Sequence, residues 1–558
     1  MKTAVLWFLL VLAAVGAAAQ SLPYIENYEV RIHGLDVVVT DRDGKPVSGL
    51  TKDDFIVLEN GVAQTLTNFS AFASSAATAT SAAGTAQSQA PDERPQARRF
   101  IFFVDEMALH PNSRTKFVKT VMQFAESSMH AADEAMVVAP AAETKIVQDF
   151  TTDRAAIRTA LEKVMASMNS RTTQQFKEQF YLENQRGRAT TDDEQRHIRQ
   201  IYADSVRRRV LQRLGELRSL VAALAQVEGK KVLVLATTSL SAMPGLDAWA
   251  QRRQEMLDGQ TTQTSEFDSG VSTGLTDSFA GAKDVYDLRP FIADLGRTAA
   301  ANGVTIYSLQ PDVQLENVTP GGVSTRQRGG STTSTFHALL EMNELTMSSL
   351  AERTGGRWFR GDGNVDDAFQ QVSKDLGTYY SLGYRAGEDD DRIRKVEVRV
   401  KNRPELRVRT RSEVVNKTNA NEMQDLVVAS LLYPRPVNEL GVIATTGAMV
   451  TEPLKTILVP IDVRIPMDKL TFLPEGEKAR AVFTIHYAAA GVASDFTSAQ
   501  EKQQVLEIKT SELPQIAGKT WRFTTKLRFA PGKYRVAVGV LDRVSRLSGF
   551  QTLEVIAQ

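Results

Sequence analysis

The residues best placed to do chemistry are two adjacent carboxylates. In "RRFIFFVDEMALHPNSR", residues 98–114, an apolar run that reads as a buried strand stops at Asp105 and Glu106, with His110 shortly after. Sheets flanked by helices bind ligands beyond the carboxyl ends of their strands. Carboxylates and an imidazole are ligand types for a metal ion. Glu106 and His110 could complete a site around Asp105, yet their spacing fits no established ligand pattern. The plainer reading has Asp105 and Glu106 capping a neighbouring helix dipole, a stabilisation of about 0.3–1 kcal/mol, or facing solvent.

Other chemistries find little to work with. His33, His110, His130, His197 and His337 are scattered, without the spacing of a zinc hydrolase. The chain contains no cysteine, which removes disulfides, thiolate metal sites and thiol nucleophiles. No GxSxG run marks a serine nucleophile. Gly355 and Gly356 in "RTGGRW" read as the end of a helix before a strand, because a phosphate loop needs more glycines and a lysine. Lysine plus arginine equals aspartate plus glutamate, 66 each, so no global field attracts nucleic acid or an anionic membrane.

The elements that must hold these residues can be read along the chain. Residues 1–19 combine Lys2, a short apolar run and the small residues Ala17, Ala18 and Ala19, the pattern of a secretory signal peptide. No later stretch approaches the roughly 18 apolar residues of a membrane span. The chain is therefore expected to be exported, to the periplasm or outside the cell. Its 558 residues suffice for roughly three or four domains. Residues 20–70 show short strands separated by Gly- and Pro-containing turns. Residues 71–97 are rich in Ala, Ser, Thr and Pro and read as a flexible linker, with an Ala-rich helix as the alternative.

From 98 to 378 the pattern alternates between buried strands ("FIFFV", "AMVVAP", "KKVLVLATTS", "GVTIYSLQP") and helices, which means a mostly parallel, doubly wound sheet. Two insertions are expected within it. Residues 170–228 carry interleaved charges along an apolar seam of long helices, and residues 239–284 form a Gly-, Ser- and Thr-rich loop. Residues 379–412 hold three alternating strands, too few to stand alone, so they are expected to pair with 20–70 as one sandwich interrupted by the doubly wound domain. Residues 413–558, with "LVVASLLY" as the first strand, read as a further β-sandwich with Trp521 and Tyr534 in its core, or with their faces on a carbohydrate.

Several phrases resemble a known family. "VVVTDRDGKPVSGLTKDDFIVLENGVAQTLTNFS", "NGVTIYSLQP", and "LAERTGGRWF" followed by "VSKDLGTYYSLGYRAGEDDDRIRKVEVRVKNRPELRVRTRS" are similar to the von Willebrand factor A-related proteins found in acidobacteria. The resemblance spans about residues 25–412. It implies a Rossmann-like A-type domain flanked by immunoglobulin-like sandwiches. It also implies Mg²⁺ or Mn²⁺ held by an Asp-x-Ser-x-Ser run after the first strand, a threonine from a second loop and an aspartate after a later strand. Asp105 matches the first ligand, but Met107 and Leu109 stand at the serine positions and Thr237, Thr238 and Ser239 at the later strand end. Only hydroxyls then remain to supplement one carboxylate, and a hard cation wants more oxygen than that.

The expected function is that of an exported, non-enzymatic binding or scaffolding protein with a degenerate metal site. Asp105, Glu106, His110, Thr238 and Ser239 would meet a protein partner at the sheet's carboxyl edge. The rivals are a metal-dependent adhesion protein and an enzyme-associated subunit with an unrecognised site.

Overall fold

The computed structural model describes residues 31–73, 97–106, 108–109, 111–140, 144–167, 191–238, 240–244, 283–310, 344–361, 365–432, 437–452, 456–491 and 499–558. The expected signal peptide, most of the linker and most of the 239–284 loop lie outside these residues, as do Met107, His110 and Ser239.

The central sheet contains β5 (Arg98–Val104), β6 (Glu134–Pro140), β7 (Thr144–Thr151), β8 (Lys230–Ala236), β9 (Val304–Gln310) and β10 (Trp358–Arg360). Its order is β7-β6-β5-β8-β9-β10, all parallel except the edge strand β7. Numbered by appearance this is 3-2-1-4-5-6, a doubly wound arrangement that reverses between β5 and β8. A strand covered on both faces must be apolar throughout, and Phe100 to Val104 are all fully buried.

Alternation sends Phe100, Phe102 and Val104 to one layer and Ile101 and Phe103 to the other. The first layer is closed by helices α1 (Pro111–Ser127), α2 (Arg154–Ser167) and, later in the chain, the helix Val365–Gly377. Phe124 of α1 meets the Phe100 ring edge-on at 5.3 Å. Asp153 caps α2, its Oδ1 accepting from the Ala155 amide at 2.8 Å. The second layer is closed by α3 (Asp192–Ala223), α4 (Arg289–Ala301) and α5 (residues 344–353), with Val365–Gly377 following as α6.

Helix α3 corrects one expectation. The stretch read as part of a decorating insertion places Val210, Leu214, Leu217, Leu220 and Val221 directly under the sheet, against Ile101, Phe103 and Met136. Its charged outer face masks a core helix, because a helix covering one side of a sheet needs only a single apolar stripe.

On either side of this unit the chain builds two four-stranded sheets. One has the order β13-β1-β11-β4, from Arg407–Arg409, Ile32–Thr40, Thr378–Arg385 and Leu66–Ala73; the other is β14-β12-β2-β3, from Glu413–Val415, Ile393–Val400, Phe55–Glu59 and Val62–Gln64. Strand β4 thus runs to Ala73, three residues into the stretch read as linker. Val37 sits opposite Tyr380 and Val57 opposite Val398. Tyr380 packs on Phe55 and spends its hydroxyl on the Val47 carbonyl at 2.8 Å, so an aromatic body fills the core while its polar tip is satisfied. Between the sheets and the central unit, Gly355 (φ +79°) ends α5 and Gly356 passes so close to the Ile306 carbonyl that a Cβ would lie 1.9 Å from its oxygen.

The C-terminal portion holds two further sheets, one around Thr456–Pro466 and one around Lys478–Gly491, enclosing Val459, Ile461, Phe483, Ile485 and Val538. Trp521 is only partly buried and sits edge-on to Phe483 at 4.9 Å. Here "LVVASLLY" is a correction: its residues Leu426–Leu432 belong to helix α7 (Asn419–Leu432), not to a strand. A short apolar run carries no decisive period, and Met423, Leu426, Val427 and Leu431 in fact share a helical face packed on Ala537 and Phe550.

Two histidines, His33 half-buried and His486 fully buried, set an acid limit. His33 in β1 is held down to about 4 by burial and then by Arg411 and Arg394, and His486 is held down to about 4 by burial. The unfolded chain protonates these rings near 6.5 and the folded chain only near 4, so stability is lost as pH falls between those values. Urea unfolding of a His33→Gln/His486→Gln double variant should show a flatter pH dependence across that window than the wild type. An unchanged slope would contradict the burial argument.

Candidate functional site

Asp105 follows β5 at the point where the strand order reverses. Its amide donates to the Ala236 carbonyl at 3.1 Å, tying the end of β5 to the end of β8. The turn after it closes on the Asp105 carbonyl, which accepts from the Ala108 and Leu109 amides at 3.2 and 3.1 Å. The side chain consequently points into the protein and is fully buried, while Glu106 is 6% exposed. The expectation of solvent-facing carboxylates is therefore corrected: the turn folds over them.

A buried carboxylate needs compensation in place. Thr237, the first residue after β8, donates its hydroxyl to Asp105 Oδ2 at 2.8 Å. Arg213 of α3 brings its Nε to 3.4 Å from the same oxygen. Arg213 is itself fixed by Glu216 Oε2 at 2.5 Å, and its guanidinium lies over the Phe103 ring, 5.9 Å from the centroid. Gln212 donates to the other Glu216 oxygen at 3.0 Å. From the opposite layer, fully buried Arg114 of α1 donates to the Glu106 carbonyl. Burial lowers the Arg114 pKa, and the charges of Glu106 and Asp105 counter that drop. Two guanidiniums and three carboxylates thus share the carboxyl edge of the sheet.

Of the residues singled out from the sequence, the structure joins Asp105 directly to Thr237. Thr238 lies beside them, but its hydroxyl is committed to the Ala108 carbonyl at 2.6 Å. Among the described residues, no group of three or more histidine, aspartate or glutamate side chains is arranged to hold a metal ion. A divalent ion at Asp105 Oδ2 would compete with both a hydroxyl donor and a guanidinium.

The arginines escaped the sequence reading although each leaves a trace. Arg114 precedes Phe117 and Val118 by one helical turn, which puts it on the buried face of α1. Arg213 adjoins Leu214 on the seam of α3. An arginine on an apolar helix face needs a buried anion, and Asp105, Glu106 and Glu216 supply three at this edge.

No family model matches the sequence, and no curated protein is significantly similar to it. Among solved structures, the chain is similar to an aerotolerance-related membrane protein from Bacteroides fragilis, at 12% identity over 50% of this chain and 98% of that one, with a TM-score of 0.25. It is similar to the von Willebrand factor domain of the type V pili tip protein Mfa5 from Porphyromonas gingivalis, at 12% identity over 53% and 98% of the two chains, TM-score 0.25. It is also similar to the conserved hypothetical protein BatB from Bacteroides thetaiotaomicron, at 10% identity over 50% and 98%, TM-score 0.22. Likenesses at this level carry no functional argument.

The geometry makes a stability prediction. Asp105→Ala leaves Arg213 its Glu216 partner, whereas Arg213→Ala takes the guanidinium from both Asp105 and Glu216, so the arginine change should cost more, roughly 3–5 kcal/mol. An Asp105→Leu/Arg213→Met double variant should lose much less than the sum of the singles in urea unfolding. Additive losses would show that the two side chains do not depend on each other.

Proposed function

We propose that the chain is an exported, non-enzymatic binding or scaffolding protein built on a von Willebrand A-type domain whose metal position is degenerate. The observation that carries this reading is the seating of Arg213 and Thr237 on Asp105. The resemblance makes Asp105 the first metal ligand, and here a fixed guanidinium supplies the positive charge that a cation would bring. A permanently charged side chain does not dissociate, so a partner would meet a preformed, metal-independent surface.

The strand order supports the A-type reading, since a doubly wound sheet with an antiparallel edge strand presents its loops where Asp105 sits. Loops 105–113 and 237–285 are the segments we assign to a protein partner, with His110, Thr238 and Ser239 as its contacts, while the buried Asp105 and Glu106 shape the loop from beneath. A rigid sheet presenting variable loops is a common recognition device. The flanking sheets, formed by residues 20–70 with 379–412 and by 413–558, we read as immunoglobulin-like sandwiches that space this surface. Export rests on the pattern of residues 1–19. No described helix is long and apolar enough to cross a membrane.

The non-enzymatic reading draws on the state of the titratable groups. His486 faces Thr484 at 3.0 Å inside a sheet and is fully buried, and His33 lies against Tyr384, so neither imidazole is placed to meet a substrate. Thermal melts with Mg²⁺, with Mn²⁺ and with chelator should superimpose. Binding of a partner taken from the exported fraction should survive chelation and be lost when residues 245–282 are replaced by a Gly-Ser loop. A metal-dependent rise in melting temperature would replace this reading with metal-dependent adhesion. Turnover of ester, peptide or glycoside substrates would replace it with an enzyme.

A further inference from the structure

At the opposite edge of the central sheet, a cavity of about 180 Å³ opens between the first residues of β8 and β9 and the sandwich strands β1 and β11. A single water needs only ~10–15 Å³ by the same kind of measure. Three cations reach this cavity, Lys230, Lys231 and Arg411, and one carboxylate, Asp36.

Their pairing is unequal. Lys230 is spoken for: its Nζ lies 3.3 Å from Asp36 Oδ2 and 3.4 Å from the centroid of the Tyr379 ring. Lys231, 7% exposed, gives one hydrogen bond, to the Val227 carbonyl at 2.9 Å, which leaves two of its three ammonium protons for the cavity. Arg411 donates to the neutral carbonyls of Ala300 and Gly34, one bond from each terminal nitrogen, which leaves a second proton on each. Neither Lys231 nor Arg411 has a carboxylate within ion-pairing distance among the described residues. Three positive charges against one negative leave an excess of two in a half-enclosed space, where like charges repel strongly.

We propose that this cavity binds a small multivalent oxyanion of the phosphate or sulfate class, held by Lys231 and Arg411. Such an anion supplies the missing countercharge and accepts the spare ammonium and guanidinium protons in charge-assisted hydrogen bonds. It also joins the A-type unit, which carries Lys231, to the sandwich segment that carries Arg411. The strain of the uncompensated state is visible in Lys231, whose pKa is pushed down to about 8 by burial first and then by Arg99 and Arg411, with only Asp36 opposing.

The site lies at the amino ends of the strands, away from the loops assigned to a partner, so the two readings fail independently. Isothermal titration of the mature chain with sodium sulfate and with sodium phosphate, against sodium chloride at matched ionic strength, should give saturable binding for the oxyanions alone. Lys231→Gln should weaken it by about tenfold or more and Lys231→Arg should retain it, whereas Lys163→Gln on the exposed face of α2 should leave it unchanged. Sulfate keeps its charge across the range, so its affinity should fall as pH rises from about 7 to about 9 and Lys231 loses its proton. Sulfate heats no larger than those of chloride, or equal affinity in Lys231→Gln, would mean adventitious ion association only and would overturn the proposal. Should Lys231→Gln not fold, the wild-type comparison with chloride and the pH series decide the question.

Discussion

A carboxylate closed off from water by its own turn must find positive charge inside the fold. At Asp105 the surrounding architecture can be followed from that one requirement. The apolar run of β5 buries the strand on both faces, and the turn after it draws the Asp105 side chain inward. The compensating groups then come from three different elements: Thr237 from the end of β8, Arg213 from α3, and Arg114 from α1. Each lies in a separate stretch of sequence, so the site exists only when both helical layers have closed on the sheet. A metal ion in the same place would make the edge responsive to cation supply, whereas a guanidinium makes it a constant feature of the folded chain.

The same economy of buried charge recurs at the joints. Asp375 of α6 is fully buried and accepts from Tyr307 of β9 at 3.2 Å and from Arg357 at 3.1 Å, with Arg409 of β13 at 2.5 Å. One carboxylate thereby links the central sheet to the flanking one. Arg218 of α3 does the corresponding work on the other side, reaching Asp294 of α4 and Asp425 of α7, both at 2.7 Å. The Asp375 pairs add little over a well-packed apolar joint, but removing one partner leaves a buried charge stranded, whereas the Arg218 pairs, whose arginine is more than a third exposed, are screened by water. Oxyanion binding beside Lys231 and Arg411 would extend this scheme, with the countercharge drawn from solution.

Strands were the most legible part of the chain. Five apolar residues in succession at Phe100–Val104 leave few options other than a doubly covered strand, and the Gly355–Gly356 pair marks a helix end because only glycine tolerates φ of +79° and so close a backbone approach. Two helices were harder. "LVVASLLY" is apolar at every period, and the helical face that decides it is defined by contacts with Ala537 and Phe550, which lie far along the chain. Helix α3 looks like a solvated insertion because charge dominates its composition, while its burial follows from one narrow stripe. The position of Asp105 and its neighbour Thr237 could be read from the two strand ends, but the arginine partners could not. Arginine on a helix is ordinary, and only the three-dimensional closure shows which anion it meets.

The most direct test of this account is a crystal of the mature chain soaked in Mn²⁺ and measured at an anomalous wavelength. The account predicts density for the Arg213 guanidinium against Asp105 and no anomalous peak within coordination distance of its carboxylate. A manganese peak on Asp105, with Arg213 displaced, would contradict it.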